Sequence, residues 1–438
     1  MTEDWPAVAT PGTVPKARHA DLAEGGAGSL DDELWTARPA LTVIRDYARA
    51  RRAAPWAVLG VALARLGCAV PPFVVLPKLV GGHGSLNLFV GLIGPPGAGK
   101  GAAQRAGADV LDVGHVEAAG VGSGEGLAHL YARRTKEGLD RHATAMLLDV
   151  AEVDTLAAVA DRRGATLLPE LRRAWSGEAL GFSYADPNKR LPIAAHSYRL
   201  TMIVGIQPAR ATGLFNDADG GTPQRFLWVP ATDPDAPEQP PPEPKSLTWK
   251  APTWPMADME GRVVLDVCDE ARQAIDAARL ATLRGKGAAL DAHAPLARLK
   301  VAAVLGLLDE RTGVSAEDWR LAGIIAAKSD QTREGVVAAM NRQAREQNRR
   351  RGELDGERQV VANARIEEDA IRRVCRFIKR KLTEAGGEME HTPLRKALPS
   401  RDRHYFDLSV VRLCDAGQVK VDDIDGCARR YRLTEVRP

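Results

Sequence analysis

Apolar positions along this chain follow two different periods. Near-continuous apolar runs occur at Leu86–Ile93, Ala143–Leu148, Tyr198–Ile206 and Phe226–Val229. Runs of this kind predict short strands buried on both faces of a parallel sheet. Helical spacing occurs elsewhere. Leu41, Ile44, Tyr47 and Ala48 share a face after Pro39, and Trp56, Leu59, Leu63 and Leu66 do so after Pro55. Each proline fits the first position of a helix, so Leu34–Cys68 predicts two helices. Phe73–Val80 predicts a strand, which Pro77 would confine to a sheet edge. The order of elements predicts an α/β core.

The pattern then changes. Residues 1–30 mix charge, proline and glycine without periodicity and predict a disordered tail. Asp233–Pro255 is dense in proline and predicts an extended linker. From Met256 to Arg349 helical spacing returns, with Leu296, Leu299, Val301, Val304, Leu305 and Leu308 on a buried helix and Ser315 capping the next. The expected divisions are a helical collar at 31–70, a core at 71–232, the linker at 233–255, a helical region at 256–350 and a separate module at 351–438.

Composition adds limits. The 438 residues carry 60 Lys+Arg against 57 Asp+Glu, a net charge of +3. A nucleic-acid surface would therefore need local clustering. From Asn341 to the end there are 23 Lys+Arg against 17 Asp+Glu, so the clustering falls there. Five widely spaced cysteines without a C-x-x-C argue against a zinc ribbon or a disulfide framework and fit a reducing cytoplasm. No signal peptide or bilayer-length apolar run is expected.

The strand ending at Ile93 runs into Gly94-Pro95-Pro96-Gly97-Ala98-Gly99-Lys100, the G-x-x-x-x-G-K of a P-loop. Such a loop turns backbone N–H groups around phosphate oxygens, and a Cβ at the close-approach positions would collide. A helix from Lys100 adds its N-terminal N–H groups, bringing Gly101 and Ala102 to the anion. Lys100 supplies a point charge for the β- and γ-phosphates. The next position usually carries a Mg²⁺-binding Ser or Thr and here is Gly101.

Asp149 ends the second apolar strand, 49 residues after Lys100. That layout makes Asp149 a candidate for holding Mg²⁺ and Glu152 a candidate for polarising the attacking water; the alternative is that Asp149 or Asp154 only caps the helix that follows. Ser123 is a candidate cap for a helix running to about Glu137, with Glu125 either a dipole partner or a site carboxylate. Gln207, at the tip of the third strand, is placed to sense a γ-phosphate. Arg225 leads the fourth strand and is either an arginine finger acting on a neighbouring subunit or part of a salt bridge. Gly181–His196 predicts a hairpin with Lys189 and Arg190 near its tip, which is solvated or touches nucleic-acid phosphates.

Residues 366–438 predict three helices and then a hairpin, the plan of a winged helix. Thr392 and Ser400 are the expected caps. The third helix would carry Arg401, Arg403 and His404 outward near its start and meet DNA, or serve protein binding instead.

With these residues laid out in this order, the chain resembles a poorly characterised family of P-loop ATPases borne by bacterial plasmids, prophages and integrative elements and associated with helicases and primases. Trp35-Thr-Ala-Arg-Pro39, Ser85-Leu-Asn-Leu88, Leu171–Glu178 and Thr222–Phe226 carry the likeness further, over about residues 30–335. His293–Ala327, with Arg298 and Lys300 on its first helix, resembles the helical lid of MCM-like AAA+ motors. The resemblance implies a P-loop NTPase core of AAA+ or RecA type with helical lid and winged helix. It also implies ATP and Mg²⁺ as cofactors, a homohexameric ring, DNA as the track and a primase or other replication protein as a possible partner. The expected function is an ATP-dependent DNA motor, a replicative helicase or initiator. Two other classes stay open: a DNA-bound ATP switch that does not translocate, and a small-molecule kinase, whose P-loop also takes Gly after Lys.

Overall fold

The computed structural model describes residues 30–160, 165–186, 190–215, 217, 221–286, 293–424 and 428–434. The chain divides at Gln343/Ala344 into two compact units.

In the first unit, α1 (Leu30–Ala37), α2 (Pro39–Ala50) and α3 (Pro55–Ala69) come first. There are three helices where the pattern predicts two, because Pro39 ends one helix and starts the next. Then follow β1 (Phe89–Ile93), α4 (Lys100–Asp109), β2 (Ala118–Ala119), β3 (Ala132–Thr135), β4 (Gly138–Arg141), β5 (Ala145–Val150), α5 (Val153–Ala160), α6 (Leu167–Ser176), β6 (Arg199–Ile206) and β7 (Phe226–Pro230). The central sheet is parallel, in the order β2-β5-β6-β1-β7. The fold is mixed α/β, with helices around a central parallel sheet.

Strand alternation divides the core in two. Val90 and Leu92 of β1, with Leu227 and Val229 of β7, face one cluster built from α1–α4. Phe89, Ile93, Phe226 and Trp228 face the other, with α5 and α6. Helix α3 is apolar all round and lies directly on the sheet: a Cβ on Gly60 would come within 2.9 Å of Val90 and 3.0 Å of Val229. It is a layer of the core rather than a collar around it.

Several elements differ from the sequence expectation. Ser123 does accept from the Gly126 N–H at 3.2 Å, but the helix there is only Gly126–His129. The chain then forms the antiparallel hairpin β3–β4 around Gly138, whose φ of 131° only glycine adopts with ease. Glu125 accepts from Thr166 at 3.0 Å and ties two loops. The strand expected at 73–80 is reduced to Val74–Val75, paired with Val263–Val264. Among the described residues of the expected Gly181–His196 hairpin and its flanks, the bridge Leu180–Ile193 stands in place of a ladder.

The Pro-rich stretch is not a free linker. Leu247–Thr248 pairs with Leu111–Asp112, Trp249 donates to the Leu307 carbonyl at 2.6 Å, and Arg49 and Arg51 hold Asp233 and Glu243. Beyond it, α7 (Asp269–Leu283) and α8 (Ala294–Leu308) precede α9 (Ala316–Glu384), which extends into the second unit. Helix α8, expected in a lid, is buried in the main core against α3. At its far end Arg38 reaches Asp309 at 2.9 Å and Asp318 at 2.8 Å, and Asp318 also holds Arg311 and the Ser315 cap.

Four side chains knit the amino end of the sheet. Arg199 is fully buried and donates to the carbonyls of Val70, Pro71 and Val74 at 3.1, 2.7 and 2.9 Å and to the Ser85 hydroxyl. Asn87 donates to the Ala174 carbonyl at 2.6 Å and accepts from the Leu200 N–H at 3.0 Å. Lys300, also fully buried, donates to the carbonyls of Asn87 and Trp175 at 2.8 and 2.5 Å, with its ammonium 3.4 Å from the centre of a Trp175 ring.

The second unit follows α9 with β8 (Glu388–Glu390), α10 (His391–Ala397), α11 (Phe406–Asp415), β9 (Val419–Ile424) and β10 (Ala428–Leu433). The strands form an antiparallel sheet in the order β8-β10-β9. Its core gathers Val374, Ile378, Leu382, Leu394, Phe406, Leu413 and Tyr431. Glu390, not Thr392, holds the cap position of α10. Among the described residues no helix is long and apolar enough to cross a membrane.

Two stability outcomes follow from this packing. Lys300→Ala leaves two buried carbonyls without a donor and opens a cavity, and urea denaturation is expected to show a loss of about 3–5 kcal/mol. Burial, with nearby cations, pulls His196 and His293 down to about 4. Both imidazoles are therefore neutral in the folded chain and protonate near 6.5 when unfolded. The unfolded state binds more protons between pH 6.5 and 4, so stability falls as the pH drops through that window. His293→Gln is expected to make the urea midpoint less pH-dependent there than in wild type.

Candidate nucleotide site

The phosphate loop is anchored on both sides of β1. Gly94 N–H donates to the Ile206 carbonyl at 3.1 Å, and Ala231 N–H donates to that of Ile93 at 2.7 Å. A Cβ on Gly94 would lie 2.7 Å from that of Ala98. Gly97 and Gly99 have φ of 79° and 83°, left-handed values that favour glycine. Pro95 and Pro96 are exposed on the outside of the turn, and the Ala98 N–H closes it on the Pro95 carbonyl at 3.2 Å. Helix α4 begins at Lys100. The N–H groups of Lys100, Gly101 and Ala102 lie in its first turn, where no intrahelical acceptor exists. The arrangement fits an anion.

Lys100 folds over its own loop and donates to the carbonyls of Gly94 and Pro95 at 2.9 and 3.1 Å. Burial pulls its pKa below the usual lysine value, and the charge of Glu152 opposes that shift. Asp149, exposed near the end of β5, accepts from Gln104 at 2.8 Å. Gln104 lies four residues after Lys100 and so one turn along the same face of α4. Gln207 follows β6 and donates to Glu152 at 3.4 Å. Because β6 lies between β1 and β5, Gln207 comes between the lysine and the carboxylates. Lys100, Asp149, Glu152 and Gln207 thus converge at the carboxyl ends of three adjacent strands, the edge at which open α/β sheets bind ligands.

Two residues of this edge were not singled out from the sequence. Gln104 has no motif of its own. Gly205 had a signal, a lone glycine in a strand of larger side chains. A Cβ there would stand 2.1 Å from the Ala151 carbonyl and 3.6 Å from the Lys100 side chain. The backbone that carries Glu152 therefore crosses directly over Gly205. At Gly101, by contrast, a Cβ would meet only the Arg105 guanidinium, at 3.8 Å. Packing does not require glycine there.

Arg225 does not belong to this edge. Phe226 pairs with Phe89 at the start of both strands, whereas the phosphate loop leaves β1 after Ile93. Five residues of strand put Arg225 roughly 16 Å away, at the opposite end of the sheet. It is 9% exposed, donates to the Gly221 carbonyl at 2.7 Å and lies over Trp175. Burial, with the nearby Arg172 charge, brings it down to about 10. An arginine spent on its own turn in the core is not presented to a neighbouring subunit, so the finger assignment fails on burial. The arginine at the nucleotide edge is Arg210, exposed and ion-paired with Asp154. Arg298 and Lys300, implied in a lid, are likewise spent on backbone carbonyls.

Lys189 lies outside the described residues. Arg190 is exposed and donates to the Tyr184 carbonyl at 2.5 Å, while Arg134 of β3 donates to the Arg190 carbonyl at 3.2 Å. This brings Arg190 together with Arg133, Arg134, Lys136 and Arg141 of the β3–β4 hairpin. Arg141 is tied to Ser197, just before β6, so these groups lie at the amino end of the sheet, away from the phosphate loop. In the second unit Arg401 and His404 are exposed, and His404 stacks on Tyr405. Arg403 instead donates to the carbonyls of Lys396 and Leu398 at 3.2 and 3.1 Å. The exposed residues of α11 are Asp407, Leu408, Val411, Asp415 and Arg412, which is ion-paired with Glu368 at 2.7 Å, a poor surface for phosphates.

No family model matches the chain, and no curated protein matches it. Among solved structures it is similar to a "putative ATPase" from Cytophaga hutchinsonii, with 11% identity and a TM-score of 0.35 over 67% of this chain and 87% of that one.

The two glycines separate packing from chemistry. Gly205→Ala is expected to cost about 1–3 kcal/mol in urea denaturation by driving a methyl into the Ala151 carbonyl. Gly101→Ser enters open space and is expected to stay within about 0.5 kcal/mol of wild type.

Proposed function

We propose that the chain is an ATP hydrolase of the P-loop NTPase class whose turnover drives work on DNA. The observation that carries the hydrolase reading is the convergence of Lys100, Glu152 and Gln207 on one strand edge beside an anion-ready loop. In this reading the backbone from Gly94 to Ala102 and the Lys100 ammonium bind the phosphates. Lys100 exchanges its two loop carbonyls for phosphate oxygens. Glu152 orients the attacking water and takes its proton, and Gln207 donates to the γ-phosphate.

Asp149 is the carboxylate placed to hold Mg²⁺, through water and phosphate oxygens, since Gly101 offers no hydroxyl. The ion would neutralise charge on the β- and γ-phosphates. Among the described residues no group of three or more metal-ligating side chains exists, which suits an ion brought in with the nucleotide.

The DNA part of the reading draws on the basic hairpin and Arg190 at the opposite end of the sheet and on the second unit. That unit runs helix, strand, helix, helix, strand, strand, the order of a winged helix, with His404 and Arg401, which is ion-paired with Asp402 at 3.9 Å, as the exposed groups that would meet phosphates. The assembly proposed is a homohexameric ring, with a primase or other replication protein as the further partner. A second reading, a DNA-bound ATP switch, is favoured by Gly101 and by the Lys100 side chain closed over its own loop.

ATP turnover by the full chain, with and without single-stranded DNA, tests this. Wild type is expected to show turnover stimulated by DNA. Lys100→Ala and Glu152→Gln are expected to lower it by roughly 100-fold or more. Tight ATP binding without turnover would replace the motor with the switch.

A further inference from the structure

A cavity of about 330 Å³ opens beside the phosphate loop, on the side away from Asp149 and Glu152, and shares Ala98 with it. Ala53 and Ala54 in the α2–α3 turn, Ala98 in the loop and Ala231 after β7 line part of it, beside Arg49, Arg52 and Asp233. Ala53, Ala54 and Ala231 are buried. Four alanines among the lining residues leave short apolar side chains against which the face of a ring can lie. The volume lies at the small end of ligand sites, the size of a nucleoside rather than of a larger ligand.

The outer wall is the Pro-rich segment. Arg49 holds Asp233 at 2.9 Å, Arg52 donates to the Pro237 carbonyl at 2.6 Å, and Arg51 holds Glu243 at 2.6 Å. Three arginines within four residues thus fasten one strap across the opening. Arg52 does so at φ 51°, a left-handed value for a non-glycine residue. Such a conformation is costly without glycine and persists only where the surroundings impose it.

We infer that this slot seats the base and ribose of the nucleotide whose phosphates lie in the Gly94–Lys100 loop, with residues 231–237 as the nucleoside wall. The inference rests on the phosphate-loop reading and deepens it. A triphosphate held in the loop must direct its sugar and base outward. The slot is a recess that touches the loop at Ala98, while the other flank carries the carboxylates and Gln104.

Calorimetric titration of the full chain with ATP and, separately, with inorganic tripolyphosphate, both with Mg²⁺, tests this. Ala236→Trp and Thr232→Trp alter exposed residues of the slot and fill it without disturbing the core. Each is expected to weaken ATP at least tenfold while tripolyphosphate stays within twofold of wild type. Lys100→Ala is expected to weaken both ligands. Tryptophan variants that weaken both ligands equally, or neither, would overturn the slot. Wild type binding neither ligand, or Lys100→Ala leaving both unchanged, would overturn the phosphate-loop reading and the slot with it.

Discussion

Two fully buried cations, Arg199 and Lys300, tie segments of the first unit together through backbone carbonyls, and among the described residues neither is ion-paired with a carboxylate. A charge taken out of water is costly unless every donor finds an acceptor. Here the acceptors are backbone carbonyls at the ends of other elements, Val70 and Pro71 after α3, Asn87 before β1 and Trp175 at the end of α6. Burial lowers the pKa of both groups, to about 10 for Arg199 and well below the ordinary value for Lys300. Buried carbonyls need donors, and these side chains supply them, beside backbone donors such as the Val74 N–H on the Pro71 carbonyl. The same contacts therefore fix the three-dimensional position of the chain segments that enter the sheet.

That arrangement gives the parallel sheet two unlike ends. The amino end is closed by buried cations, Asn87, Trp175 and Arg225, and its basic groups lie on loops outside the core. The carboxyl end is open and carries an anion-ready loop, two carboxylates and a glutamine. All strands of the central sheet run the same way, so every loop leaving it at the carboxyl end reaches one edge. A rigid lower end suits an upper edge at which Lys100, Glu152 and Gln207 are brought together from three different strands. Gly205 is part of that precision, because the Ala151–Glu152 backbone can cross β6 only where no side chain stands.

The Pro-rich segment and α8 have roles that their composition does not announce. Residues 233–244 turn at Asp233–Ala236 and run on without regular structure, and Arg49 near the end of α2, with Arg51 and Arg52 just after it, holds them as a wall beside the phosphate loop. Helix α8 carries the helical periodicity expected of a lid, yet it is hydrophobic on nearly all sides and so must be covered all round. Its two cations turn inward to carbonyls rather than outward to a ligand.

The glycine turn after β1, the buried strands, the helix starts at Pro39 and Pro55, the Ser315 cap and the position of Asp149 and Glu152 at a strand end were legible in the sequence, because each depends on local rules. A left-handed φ at Gly97 and Gly99, a strand buried on both faces and a proline at a helix start are decided within a few residues. The role of Arg225, the path of residues 233–255 and the placement of α8 were not legible. Arginine at the head of a strand has the same local signature whether it points to a neighbour or into its own core. Its fate was set by Trp175 and Gly221, as that of Lys300 was set by Asn87, 213 positions away. Sequence alone thus determined the four long strands of the central sheet, the helix starts at Pro39 and Pro55 and the glycine turn after β1. Only tertiary packing decided which charges face a ligand and which are spent inside, because desolvation depends on what the rest of the chain brings alongside.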